Sequence, residues 1–247
     1  EGTLELAGFA ADCHLELRRC LIVPPPSRQH HAFCLHALRL RGSLTIVDTL
    51  IDGTLDLHDA HLDDGLTLRN VTVTGDIDAA SLRVGGDTAV WNLVAGGGAN
   101  FHDAQFHGNA ALRSCTFHEE ANFNEVKFQH EGNFAYSRFQ GPADFAVADF
   151  RGGAEFFGAT FEGPVDFGDV SVLHWADFTA TTFRDTISAT RAVFHSGVEF
   201  GSVEFHRGAD FTECRFQGDA TFTQVRGHDS MEFDGACFGG KADFRHA

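Results

Sequence analysis

Ala143-Asp144-Phe145-Ala146-Val147-Ala148-Asp149-Phe150-Arg151-Gly152-Gly153-Ala154-Glu155-Phe156 contains one small unit three times: a small residue, a polar residue, then Phe. The units start at Ala143, Ala148 and Ala154, a step of five and then six. Extended outward, the same ruler fits the chain from Phe33 to its end. Upstream units begin at Leu55, Ala60, Leu66, Val71 and Ile77, and downstream ones at Ala209, Cys214, Ala220, Val225 and Met231. In each unit the first and third residues are mostly apolar and the middle one mostly polar. That is the two-residue alternation of a short strand with one buried face. A helix would need apolar residues three and four apart, and no long segment shows that.

The inward pairs compensate each other in volume. Leu55 stands with Leu57, but Ala121 stands with Phe123 and Ala209 with Phe211. Where the third residue shrinks to Ala the first grows, as in Ile77 with Ala79, Leu93 with Ala95 and Ile187 with Ala189. Tight packing demands such a constant sum, so both positions point into one narrow core. The 26 Phe against one Tyr and two Trp make that core aromatic without hydroxyls to satisfy.

Glycine collects in the six-residue steps, as Gly53, Gly65, Gly75, Gly108, Gly141, Gly152, Gly163 and Gly218. An extra corner residue there is expected to need a positive φ, which Gly adopts without strain. Val172-Leu173-His174-Trp175 and Thr186-Ile187-Ser188-Ala189 lack a corner glycine, which predicts a local bulge. Residues 1–32 read as an irregular N-terminal coil or cap, because Pro24, Pro25 and Pro26 stop any strand. Leu4-Glu5-Leu6 and Leu15-Glu16-Leu17 hint that the repeat has already begun there.

Ala99-Asn100-Phe101, Ala121-Asn122-Phe123, Ala143-Asp144-Phe145, Ala176-Asp177-Phe178, Ala209-Asp210-Phe211 and Ala242-Asp243-Phe244 resemble the unit of the pentapeptide-repeat family. The resemblance covers residues 33–247. It implies an all-β fold, a right-handed quadrilateral β-helix. The alternating five-six step departs from a uniform five and gives about ten coils of 22 residues. At ~4.8 Å per coil the rod would be roughly 45–50 Å long.

With a 22-residue coil, outward residues 22 apart share a wall. One wall carries Asp56, Asp78, Asn100, Asn122, Asp144, Asp166, Ser188, Asp210 and Glu232. Two readings stand side by side. The carboxylates Asp56, Asp78, Asp144, Asp166, Asp210 and Glu232 bind a protein partner, or Asp and Asn there tidy the turn by bonding nearby backbone. Some members of the family mimic DNA and bind gyrase or topoisomerase IV, so the resemblance offers an acidic DNA-like face as an alternative function.

The net charge of −17 argues against direct nucleic-acid binding and permits a basic partner, such as a DNA-binding surface. No apolar run is long enough for a membrane span. Six scattered cysteines form no CxxC and point to reduced thiols in the cytoplasm. The chain starts at Glu1 rather than Met, as a trimmed chain does. His30, His31, Cys34 and His36 match no zinc template, and nothing calls for a cofactor. No nucleophile elbow, phosphate loop or HExxH is present, so the expected function is a scaffold or protein-binding solenoid, not an enzyme. Trp91 and Trp175 fall outside the inward pattern and read either as interface anchors or as covers of a corner. The last unit runs through Phe244 with no cap after it, so either the chain was cut there or this end pairs with another copy, end to end or as a homodimer.

Overall fold

A computed structural model describes residues 6–24 and 31–246. Among these residues all regular structure is β-strand, and the strands pair in parallel. Most contain only two residues, because each unit turns a corner before a longer strand can form. Ile77, Ala99, Ala121 and Ala143 are successive register partners, which establishes the expected coil length. The pairings form four columns, here called walls one to four in the order the chain visits them. In one coil they are Ile77–Asp78, Arg83–Val84, Thr88–Trp91 and Val94–Ala95.

The inward residues fill the channel between the walls. Phe101, Phe123, Phe145 and Phe167 stack behind wall one with centroids 4.8–5.0 Å apart. Phe134, Phe156, Phe178, Phe200 and Phe222 do the same behind wall three at 4.8–5.2 Å. Rings of neighbouring columns meet edge to face, as Phe145 and Phe156 do at 5.2 Å. The coil rise sets the stacking distance, and stacked and T-shaped pairs are both favourable ring arrangements. The pairs Ile77–Ala79, Leu93–Ala95 and Ile187–Ala189 are all buried, as volume compensation requires.

Three expectations are corrected. First, left-handed backbone occurs at the short corners, not the long ones. From Ala37 to His246 one residue in every eleven has φ between +51° and +68°, and each ends a five-residue step. It is the third residue of a β-turn: the N–H of Ala60 donates to the carbonyl of Leu57 at 3.0 Å, with Asp59 at φ 55° between them. The glycines of the long steps serve close coil-to-coil approach instead. A Cβ on Gly152 would stand 2.4 Å from the carbonyl carbon of His130, and one on Gly141 2.5 Å from that of Glu119. Gly53, at φ 125°, fits the original expectation.

Second, residues 171–189 contain no bulge. Ser171, Val172, Ile187 and Ser188 keep the register of the coils around them. A register shift falls elsewhere, between His31 and Phe33.

Third, the segment before residue 33 is not irregular where it is described. Ala10–Ala11, Leu15–Arg18 and Leu21–Ile22 are strands that pair with the next coil. Leu15 pairs with Leu44, whereas Leu44 pairs with Leu66, so this first coil is longer than the next by seven. The excess falls between Ile22 and Phe33, where the prolines lie. Residues 25–30, including Pro25, Pro26 and His30, lie outside the described residues, as do residues 1–5, which hold Leu4 and Glu5.

Candidate interaction surfaces

A filled channel leaves function to the outer walls. Wall one holds the acidic row where the coil length places it. The carboxylates are also used by the fold: Asp56, Asp78, Asp144, Asp166 and Asp210 each accept the backbone N–H two residues on, at 2.7–3.1 Å. Asn100 and Asn122 do the same at 3.1 and 2.9 Å. These short turns thus begin with an Asx side chain satisfying a corner N–H. The turn needs the Oδ1 acceptor but not the charge. For Asp210, burial pushes the carboxyl up, but hydrogen bonds from the Thr212 hydroxyl and N–H and from Thr190 outweigh it and hold it below the usual range. Glu232 ends the row, exposed.

The row is not even. Between Asp166 and Asp210 stands the short Ser188, and Gly208 leaves the neighbouring corner bare. The result is a shallow groove of about 540 Å³ whose lining includes Pro142, Pro164, Asp144, Asp166, Asp210 and Glu232. Carboxylates thus flank an apolar floor.

The three other singled-out residues do not come together. Trp91 stands at the corner leaving wall three, 47% exposed, and Trp175 at the corner entering it, lying over Gly153. Nearly four coils separate them along the rod. Phe244 belongs to the last described coil, where it stacks on Phe222 at 4.8 Å. The rings of Phe233, Phe238 and Phe244 meet in a triangle at 5.9–6.0 Å, with Phe238 and Phe244 exposed.

Other polar groups serve the frame. Arg191 pairs with Asp169 one coil below and holds it under the usual carboxylate range. On wall three the Asn133 amide bridges Glu131 and Glu155. Burial, and then the charge of Glu131, push Glu155 up. Cys115 and Cys214 are packing thiols, pushed up to about 12 by burial. Among the described residues no group of three or more His, Cys, Asp or Glu is placed to hold a metal ion. No helix of the described chain is long and apolar enough to cross a membrane.

The family described as Pentapeptide repeats (9 copies) matches residues 96–138, 125–171 and 178–226, just over half of the chain. The chain belongs to the pentapeptide-repeat family. No curated protein and no solved structure matches it. The pentapeptide-repeat solenoid is a structural repeat fold, and this one applies it with a five-six step and coils stacked in four walls.

Sequence reasoning singled out Trp91 but missed the residues this pentapeptide-repeat corner groups with it, Arg113 and Tyr136. Trp91, Asn92, Arg113, Ser114 and Tyr136, from three successive coils, line one open cleft. The signal was present only diagonally: Trp91 and Arg113 are register partners, and Tyr136 follows the next position in that column.

Proposed function

We propose that this solenoid is a non-catalytic scaffold that binds a basic protein surface along wall one. The observation that carries the reading is the groove beside Ser188. There Asp144, Asp166 and Asp210 are fixed by their own turns, so an incoming Lys or Arg meets carboxylates that need no ordering on binding. A pull-down with the intact rod tests it, repeated with Asp144→Asn, Asp166→Asn and Asp210→Asn together. Asn keeps the turn acceptor, as Asn100 and Asn122 do, and removes only charge. A partner lost with the triple variant supports the reading; one retained removes it.

Mimicry of DNA toward gyrase or topoisomerase IV is a narrower reading, supported by the net charge of −17 and the stacked carboxylates. Asn100, Asn122 and Ser188 interrupt the charge, which weighs against it. A supercoiling assay unaffected by excess protein removes it. End-to-end pairing is a separate proposal, in which a second copy would cover Phe238 and Phe244. Light scattering showing a dimer that Phe238→Glu with Phe244→Glu dissolves supports pairing. A strict monomer at high concentration counts against it.

A further inference from the structure

The corner between walls three and four carries large side chains that neither the core nor the turns require. Trp91 is 47% exposed and lies in register between Arg69 and Arg113 of the flanking coils. Tyr136 is 55% exposed, with φ 59°. In other coils this corner position holds smaller residues such as Asn70, Asn92, Ser114 or Gly158, and Asn and Gly in particular tolerate left-handed backbone better. A bulky ring held there against its backbone preference points to a use outside the fold. Tyr136 is braced on one side by Phe157, edge to face at 5.4 Å. Its other side opens on a cleft of about 430 Å³ lined by Trp91, Asn92, Arg113, Ser114 and Tyr136.

The cleft has two aromatic walls two coils apart, roughly 10 Å at the coil rise, about the length of a disaccharide. Asn92 is held by an amide ladder, its Nδ2 donating to Asn70 Oδ1 at 3.0 Å and Asn70 Nδ2 to Asp48 Oδ1 at 2.8 Å. The Asn92 side-chain carbonyl is therefore held in place in the cleft, and the Ser114 hydroxyl lines it beside Arg113. Among the described residues Arg69 has no ion pair, and Arg113 has only a longer-range attraction from Glu155. On a chain of net charge −17 this corner is a local cationic exception.

We propose that the Trp91–Arg113–Tyr136 cleft binds a short acidic oligosaccharide, a chain of uronic-acid sugars. The apolar CH faces of two sugars rest on the Trp91 and Tyr136 rings. A carboxylate pairs with the planar, two-pronged Arg113 guanidinium, and hydroxyls bond Asn92 and Ser114. Aromatic platforms with few convergent polar groups suit a ligand that is apolar on its faces and polar at its edge.

Oligogalacturonate of three to four sugars is the probe, with an uncharged cello-oligosaccharide of equal length as comparison. Binding is read by calorimetry and by Trp fluorescence in a Trp175→Phe background, which leaves Trp91 as the reporter. The expected result is saturable binding of oligogalacturonate, at least tenfold weaker for the uncharged sugar. Trp91→Ala or Tyr136→Gly abolishes it, and Arg113→Gln weakens it at least tenfold. Tyr136→Gly suits the left-handed corner, so its loss of binding does not come from unfolding. No binding of either sugar, equal binding of both, or saturable binding of polyglutamate without any sugar overturns the proposal; the last result assigns the corner to an acidic polypeptide.

Discussion

Gly152→Ala and Val147→Gly form a matched test, because the structure reverses the usual sign of each. Gly152 has ordinary backbone φ, so propensity alone says Ala is stabilising there by about 0.4–1 kcal/mol. Its missing Cβ is filled by the neighbouring coil: an added methyl carbon would stand 2.4 Å from the His130 carbonyl carbon and 2.6 Å from its oxygen. Both are backbone atoms of a corner held between two paired strands, Lys127–Phe128 and Gly132–Asn133, and cannot swing away as a side chain could. Ala therefore separates two coils locally, and overpacking of this kind costs about 1–3 kcal/mol. Val147 is the opposite case. It sits at φ 60° and is 52% exposed, so little burial is lost when it is truncated. Left-handed backbone costs an L-residue about 1–2 kcal/mol, and Gly returns about 0.5–1 kcal/mol in chain entropy. The net expectation is a gain of about 0.5–1 kcal/mol for Val147→Gly. Long repeat arrays depart from all-or-none unfolding, so the readout is the first urea transition with amide exchange at the mutated coil. Gly152→Ala as stable as the parent, or Val147→Gly clearly less stable, refutes the assignment of close approach to long corners and left-handed turns to short ones.

Phe156→Ala should be the most damaging of these changes, at about 3–5 kcal/mol. It removes a ring stacked on Phe134 and Phe178 and touching Phe145 and Phe167 edge-on, and thermal unfolding measures it. Asp144→Asn should leave stability within about 0.5 kcal/mol, whereas Asp144→Ala should lose about 0.5–1.5 kcal/mol with the turn bond; chemical denaturation separates them. Glu155 titrates above its unfolded range, so its contribution to stability falls as pH rises through that window. Glu155→Gln should therefore raise the melting temperature at pH 7, and the gain should vanish in acid. Asp169 and Asp210 titrate below the usual range, so their support, present above the unfolded carboxylate pKa, should be lost as pH falls toward their folded values. Asp169→Asn should flatten part of the acid limb of a stability profile.

The channel was legible because it repeats: an inward pair such as Ala121 and Phe123 occurs at every step, and its volume rule shows without coordinates. The acidic row followed as soon as the coil length was read from the alternating five-six step. The corners were not legible, because their chemistry varies. Asp59, Ser81, Val147 and Arg191 share one left-handed position, and no residue type announces it. Gly152 was visible but ambiguous, since a sequence cannot tell a glycine kept for φ from one kept for a neighbour's carbonyl. The first coil was half legible: Leu15-Glu16-Leu17 showed the unit, but seven extra residues threw it off the ruler and hid its pairing with Leu44. Trp91 and Tyr136, far apart in the chain, become neighbours only when two coils and a corner are counted together.

Disulfide trapping tests the stacking itself. Asn100 and Asn122 are Cα partners on wall one, whereas Ala111 belongs to wall three across the channel. Adjacent parallel strands put Cα atoms ~4.8 Å apart, inside the roughly 4.4–6.8 Å range a disulfide spans. Mild oxidation of Asn100→Cys with Asn122→Cys, followed by peptide mapping, should yield the cross-link with the fold retained. Asn100→Cys with Ala111→Cys should yield none. Cross-linking of the second pair and not the first would contradict coils that close in four walls around a filled core.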